Sequence, residues 1–139
     1  MAGLRAVAAV ITGVLGSMVA VGVIESAGHA LFPVVVPSEA TPEAMAAWAA
    51  QLPVGVLASV LLAWAVGSAV GILIAQSLWP TGRRAAAFWV GALMLAAVIA
   101  NLVMIPPPLW FAAVGLAEVL LITWWLARRG VQSRQQVSA

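Results

Sequence analysis

The chain is 139 residues long, 65% hydrophobic and 7% charged, with neither cysteine nor lysine. A soluble domain carries about a quarter charged residues, and six basic plus four acidic side chains cannot cover one of this size, so a bilayer has to supply the exterior. The net charge of +2 comes from arginines scattered at positions 5, 83, 84, 128, 129 and 134, which form no phosphate-tracking face and exclude nucleic acid as a partner. The lack of cysteine excludes disulfides, thiolate metal sites and iron–sulfur ligation.

The first apolar stretch runs from Leu4 to Gly28. Arg5, the run behind it and the small residues Ser26-Ala27-Gly28 resemble a signal peptide, but the run exceeds the ~7 to 15 residues of a cleaved signal, and retention as a membrane span is expected. The next segment carries Thr41-Pro42-Glu43, an N-cap, a proline at the first helical position and an acid at the positive helix end. This predicts a short helix from Pro42 to Gln51. Met45, Trp48 and Leu52 recur on one side of it, which suits a segment lying on the membrane surface or, alternatively, lidding the bundle.

Three more apolar stretches follow, Pro53 to Leu78, Ala85 to Ile105 and Leu109 to Ala127. Each approaches or exceeds the ~20 residues that cross ~30 Å of hydrocarbon. Trp79-Pro80-Thr81-Gly82-Arg83-Arg84 and Pro106-Pro107-Pro108 break the chain between them. Residues 130–139 read as a flexible tail. The fold class is therefore an all-α, membrane-spanning four-helix bundle with a short interfacial helix in the first outer loop, forming a single domain over residues 1–139.

Arginines flank the first span, the second hairpin and the last span on one side, and the other two connections hold no basic residue. Since basic groups resist translocation, both termini and the middle loop are placed in the cytoplasm. Trp79, Trp89, Trp124 and Trp125 then fall near the inner boundary and Trp48 and Trp110 near the outer one, with Trp64 in mid-span.

In lipid, small residues that permit close backbone approach carry much of helix packing. Gly55, Ser59, Ala63, Gly67, Gly71 and Ala75 recur every four residues along the second span, and Ala9, Gly13 and Ser17 along the first. Gly13, Ser17, Gly67 and Gly71 are expected to pack the helices of one chain together, with homodimerisation through the second span as the alternative.

Ionisable groups within spans are costly and mark candidate sites. Glu118 lies ten residues past Pro108, ~15 Å from the outer boundary and near the midplane. A charge there costs about 2.5 to 3.5 kcal/mol, and the Leu, Ile, Val and Phe residues between Leu109 and Leu126 offset this by roughly 3 to 5 kcal/mol. Such a carboxyl suits either proton coupling or a plain interhelical hydrogen bond. Glu25 and His29 share a helical face at a spacing of four, and Asn101 falls at a similar level on the third span. Glu25, His29 and Asn101 thus form a candidate outer patch with Glu118 below it. One histidine and one carboxylate are too few for zinc, so no metal and no cofactor is implied.

The segments Glu25-Ser26-Ala27-Gly28-His29-Ala30-Leu31-Phe32-Pro33 and Asn101-Leu102-Val103-Met104-Ile105-Pro106-Pro107-Pro108-Leu109-Trp110-Phe111 resemble the two marked motifs of an uncharacterised family of small bacterial four-helix membrane proteins. The resemblance implies a bacterial inner-membrane location and attention to the outer patch, and it assigns no activity. The family pattern has a histidine where this chain has Pro107, a departure that weakens any paired-histidine role.

Three functions are open to such a chain. The absence of a nucleophile with its base, a phosphate loop or a multidentate metal set favours a non-enzymatic membrane protein that binds a partner protein or a small apolar ligand. Glu118 suggests a proton-coupled small transporter, and Glu25 with His29 a membrane enzyme.

Overall fold

The computed structural model describes the backbone of residues 2–39 and 41–135 and the side chains of residues 3–39 and 41–130. Its helices are α1 (Ala2–Leu31), α2 (Pro42–Ala50), α3 (Val54–Leu78), α4 (Arg83–Met104) and α5 (Leu109–Gln135), with a 3-10 turn at Pro80–Gly82. All of these but α2 are long and apolar enough to cross a membrane. The protein is a multi-pass membrane protein with an all-α bundle. Exposed Val7, Ile11 and Met18 on α1 and Leu120, Leu121 and Trp125 on α5 form its lipid-facing surface, while the helical backbone satisfies its own hydrogen bonds.

α3 is the hub, packing against α1, α4 and α5; α1 lies mainly along α3 with a smaller contact to α4. The α1–α3 contact depends on missing side chains. A Cβ placed on Gly13 would stand 2.6 Å from the Gly71 carbonyl oxygen, and one on Gly71 would collide with Ser17. Val21 covers Gly67 in the same way. Ser17 is fully buried, and its hydroxyl donates to the Gly13 carbonyl at 3.2 Å, so its polarity is absorbed within its own helix. The Gly67–Gly71 face is thus occupied by α1 of the same chain.

Thr123 of α5 fits against Gly91 of α4, and the Trp64 ring of α3 against Gly115 of α5. At the other end of α3, the Gln76 side-chain amide donates to the carbonyls of Arg83 and Leu126, both at 3.1 Å. One buried side chain therefore fastens three spans. Arg5 Nε donates to the Leu78 carbonyl at 2.9 Å, and Gly130 lies against Arg83. Arg5, Arg83, Arg84, Arg128 and Arg129 consequently gather at one end of the bundle, and Glu25, Glu39 and Glu43 belong to the other.

Several boundaries differ from those read in the sequence. α1 continues to Leu31, because nothing between Gly28 and Phe32 breaks a helix and Pro33 does. Arg83 and Arg84 form the first turn of α4 rather than a loop, the 3-10 turn having already reversed the chain. α5 runs on to Gln135, so residues 130–135 are helical where a tail was expected; glutamine and arginine are good helix formers and no proline interrupts them. The Arg134 side chain and residues 136–139 lie outside the described residues.

Candidate functional site

α2 begins as its sequence signals require. Thr41 Oγ1 accepts from the Ala44 amide at 3.2 Å, and Pro42 opens the first turn. One side of the helix is turned into the bundle. Ala49 is 1% exposed, Leu52 packs against the main core, and the Trp48 indole donates to the Val35 carbonyl at 2.9 Å. α2 is a lid strapped to the segment that follows α1.

Beneath this lid is a cavity of about 190 Å³, lined by Glu25, His29, Trp48, Asn101, Pro107 and Phe111 among others. The i, i+4 pair on α1, the asparagine on α4 and the proline turn before α5 therefore meet in one place. Glu25 and Asn101 also line a second space of about 310 Å³, which descends past Met18, Trp64 and Met94. Residues of α1, α3 and α4 form its walls. Trp64 and Phe111 meet edge to face at 5.4 Å between centroids, so an aromatic pair stands where the two spaces approach each other. The second space reaches the lower end of the volumes that hold small ligands, roughly 300 to 1,000 Å³.

The local chemistry is set by one hydrogen bond. His29 Nδ1 lies 2.8 Å from the main-chain carbonyl of Glu25. A carbonyl oxygen only accepts, so Nδ1 carries a proton and a neutral imidazole keeps its lone pair at Nε2. His29 is thus engaged by the backbone of Glu25 and not by its carboxylate. The geometry is that of a helix-end bond, not of an acid–base couple.

Glu118 stands apart from both spaces. It sits close to the middle of the α5 span, and its Oε1 is buried without a hydrogen-bond partner, as is Ser68 Oγ of α3. Trp64 lies against Gly115 and Gln76 bonds Leu126, so α3 and α5 run parallel in a register that sets Ser68 level with Glu118 and Val119.

The sequence pointed to Glu25, His29 and Asn101, and the fold brings those three together while leaving Glu118 elsewhere. Gly13, Ser17, Gly67 and Gly71 all lie in the α1–α3 contact. Trp48, Phe111 and Trp64 contribute walls that residue spacing alone did not indicate, although Trp64 already stood out as the lone tryptophan in mid-span. Among the described residues, no group of three or more His, Asp or Glu side chains converges to hold a metal ion. No known protein family, curated protein or solved structure matches this chain.

Proposed function

We propose that the protein binds a small amphipathic molecule at the outer side of a bacterial inner membrane, with both termini cytoplasmic and α1 retained. The observation that carries this reading is the convergence of Glu25, His29 and Asn101 on a lidded cavity that shares two of those residues with an apolar space between helices. A carboxylate and a histidine Nε2 lone pair are both acceptors. They suit a head group rich in N–H donors, above all an amine, with the apolar body lying alongside Met18, Trp64 and Met94. The gathering of arginines at one end supports the orientation, and the close α1–α3 contact supports retention of α1.

Trp48 and Trp64 line these spaces, so their fluorescence reports occupancy. Dodecylamine and dodecanoate differ only in head group and serve as probes. The amine is expected to quench at lower concentration than the acid, and Glu25→Gln is expected to weaken the amine by about tenfold, the loss of one charge-assisted hydrogen bond. Equal binding of both probes, or an unchanged amine affinity in Glu25→Gln, contradicts the reading.

A second reading rests on the buried, unpartnered Oε1 of Glu118 and Oγ of Ser68 at the same depth. Polar atoms left without partners in hydrocarbon are costly, which favours a proton-carrying role for Glu118 in coupled transport. Proton uptake by proteoliposomes that persists unchanged in Glu118→Gln removes it.

A further inference from the structure

At the arginine-bearing end, far from the lidded cavity and sharing no residue with it, a groove of about 550 Å³ lies between α4 and α5. Its walls include Phe88, Ala92, Leu95, Leu120, Thr123 and Trp124. Thr123 is the one hydroxyl among them, and it donates to the Val119 carbonyl at 2.7 Å. The groove therefore offers a polar ligand nothing, and it suits a hydrocarbon chain. From Phe88 to Leu95 it follows α4 for roughly 10 Å along the helix axis, and it opens on the lipid-facing side, where Leu120 and Leu121 are exposed.

Its membrane-surface rim is of opposite character. The Arg84 guanidinium lies 5.7 Å from the centre of the Phe88 ring, and the Arg128 guanidinium 3.8 Å from that of Trp124. Both rings belong to the groove, so Arg128 rests against one of its walls and Arg84 lies over another at cation–π distance. A guanidinium held over a ring by its charge still carries N–H donors, the fork that matches phosphate oxygens. Phe88 lies in the second turn of α4 and Trp124 within the last two turns of the α5 span, the end of the spans where aromatic rings mark head-group depth. An apolar trough beneath two cations is complementary to one class of molecule, an anionic phospholipid with a chain in the trough and its phosphate at the arginines.

We propose that the α4–α5 groove is a specific site for an anionic phospholipid of the leaflet on the arginine side, with Arg84 and Arg128 holding its phosphate. The site is independent of the amphiphile-binding reading above, and either can fail alone.

Native mass spectrometry of the full chain, presented with dioleoyl phosphatidylglycerol and dioleoyl phosphatidylcholine in equal amounts, tests the assignment. The anionic lipid should be retained in preference. Exchanging Arg84→Gln and Arg128→Gln should erase that preference by about fivefold per guanidinium, the effect of one basic residue near an anionic surface. Lysine at the same positions should restore part of it and shows that the glutamine variants are not merely misfolded. Ala92→Trp, which fills the trough, should lower retention of both lipids alike. Equal retention by the unaltered protein, or an unchanged preference in the double glutamine variant, overturns the proposal. So does efficient crosslinking of an Ala92→Cys variant to a second copy, which would make the occupant another chain.

Discussion

Gly71 shows what a single hydrogen atom in place of a side chain does in this bundle. Where its Cβ would be, Ser17 and the Gly13 carbonyl already stand. Gly71→Ile must therefore push α1 off α3, at a cost of about 1 to 3 kcal/mol for overpacking, and the thermal midpoint in detergent should fall accordingly. Gly3→Ile meets nothing within 4 Å and should leave the midpoint unchanged; equal behaviour of the two variants would deny the contact its role. The small-residue ladder was visible in the sequence because a spacing of four is a property of one helix. What His29 touches was not visible. A spacing of four brings its ring to Glu25, but only the rotamer decides between the carboxylate and the carbonyl, and the ring takes the carbonyl.

At the scale of the element, α2 has the most to explain, since nine residues form no stable helix alone. It is held by its Thr41 cap, by the burial of Ala49 and by the bond from Trp48 to Val35. Trp48→Phe keeps an aromatic ring in place while removing that bond. It should loosen the lid by about 0.5 to 1.5 kcal/mol, read as faster hydrogen exchange across residues 42–50 with α3 unaffected. Unaltered exchange would mean that the indole N–H does not hold the lid. The cap and the proline of α2 were plain in the sequence, whereas the choice between lying on lipid and closing a cavity was not. Met45, Trp48 and Leu52 make the same apolar stripe in either case, and only the surface they meet distinguishes the two. The spans themselves were legible from length and apolarity. The far end of α5 was not, because residues 128–135 are mostly polar and fall below the apolarity that marks a span, yet they remain helical.

Across the whole molecule, charge is divided between the two ends, and a chain without cysteine is suited to test which end faces the cytoplasm. Single replacements Ser38→Cys and Thr81→Cys lie in connections at opposite ends. An impermeant maleimide added to intact cells should label the first and reach the second only after permeabilisation; the reverse pattern inverts the topology. Asn101 could be set level with Glu25 by counting residues from Pro106, but the separation of Glu118 from them depends on how α5 is rotated against α3, a phase that no single helix encodes. The fastening at the arginine-bearing end has a mechanical side. Gln76 joins α3, α4 and α5 there, and Arg5 joins α1 to α3, while the lidded cavity lies at the opposite end. Helices fixed at one extremity behave as levers. Over ~25 Å of helix, a tilt of a few degrees about Gln76 would become a displacement of an ångström or two at the far tips, enough to change the width of the space beneath α2.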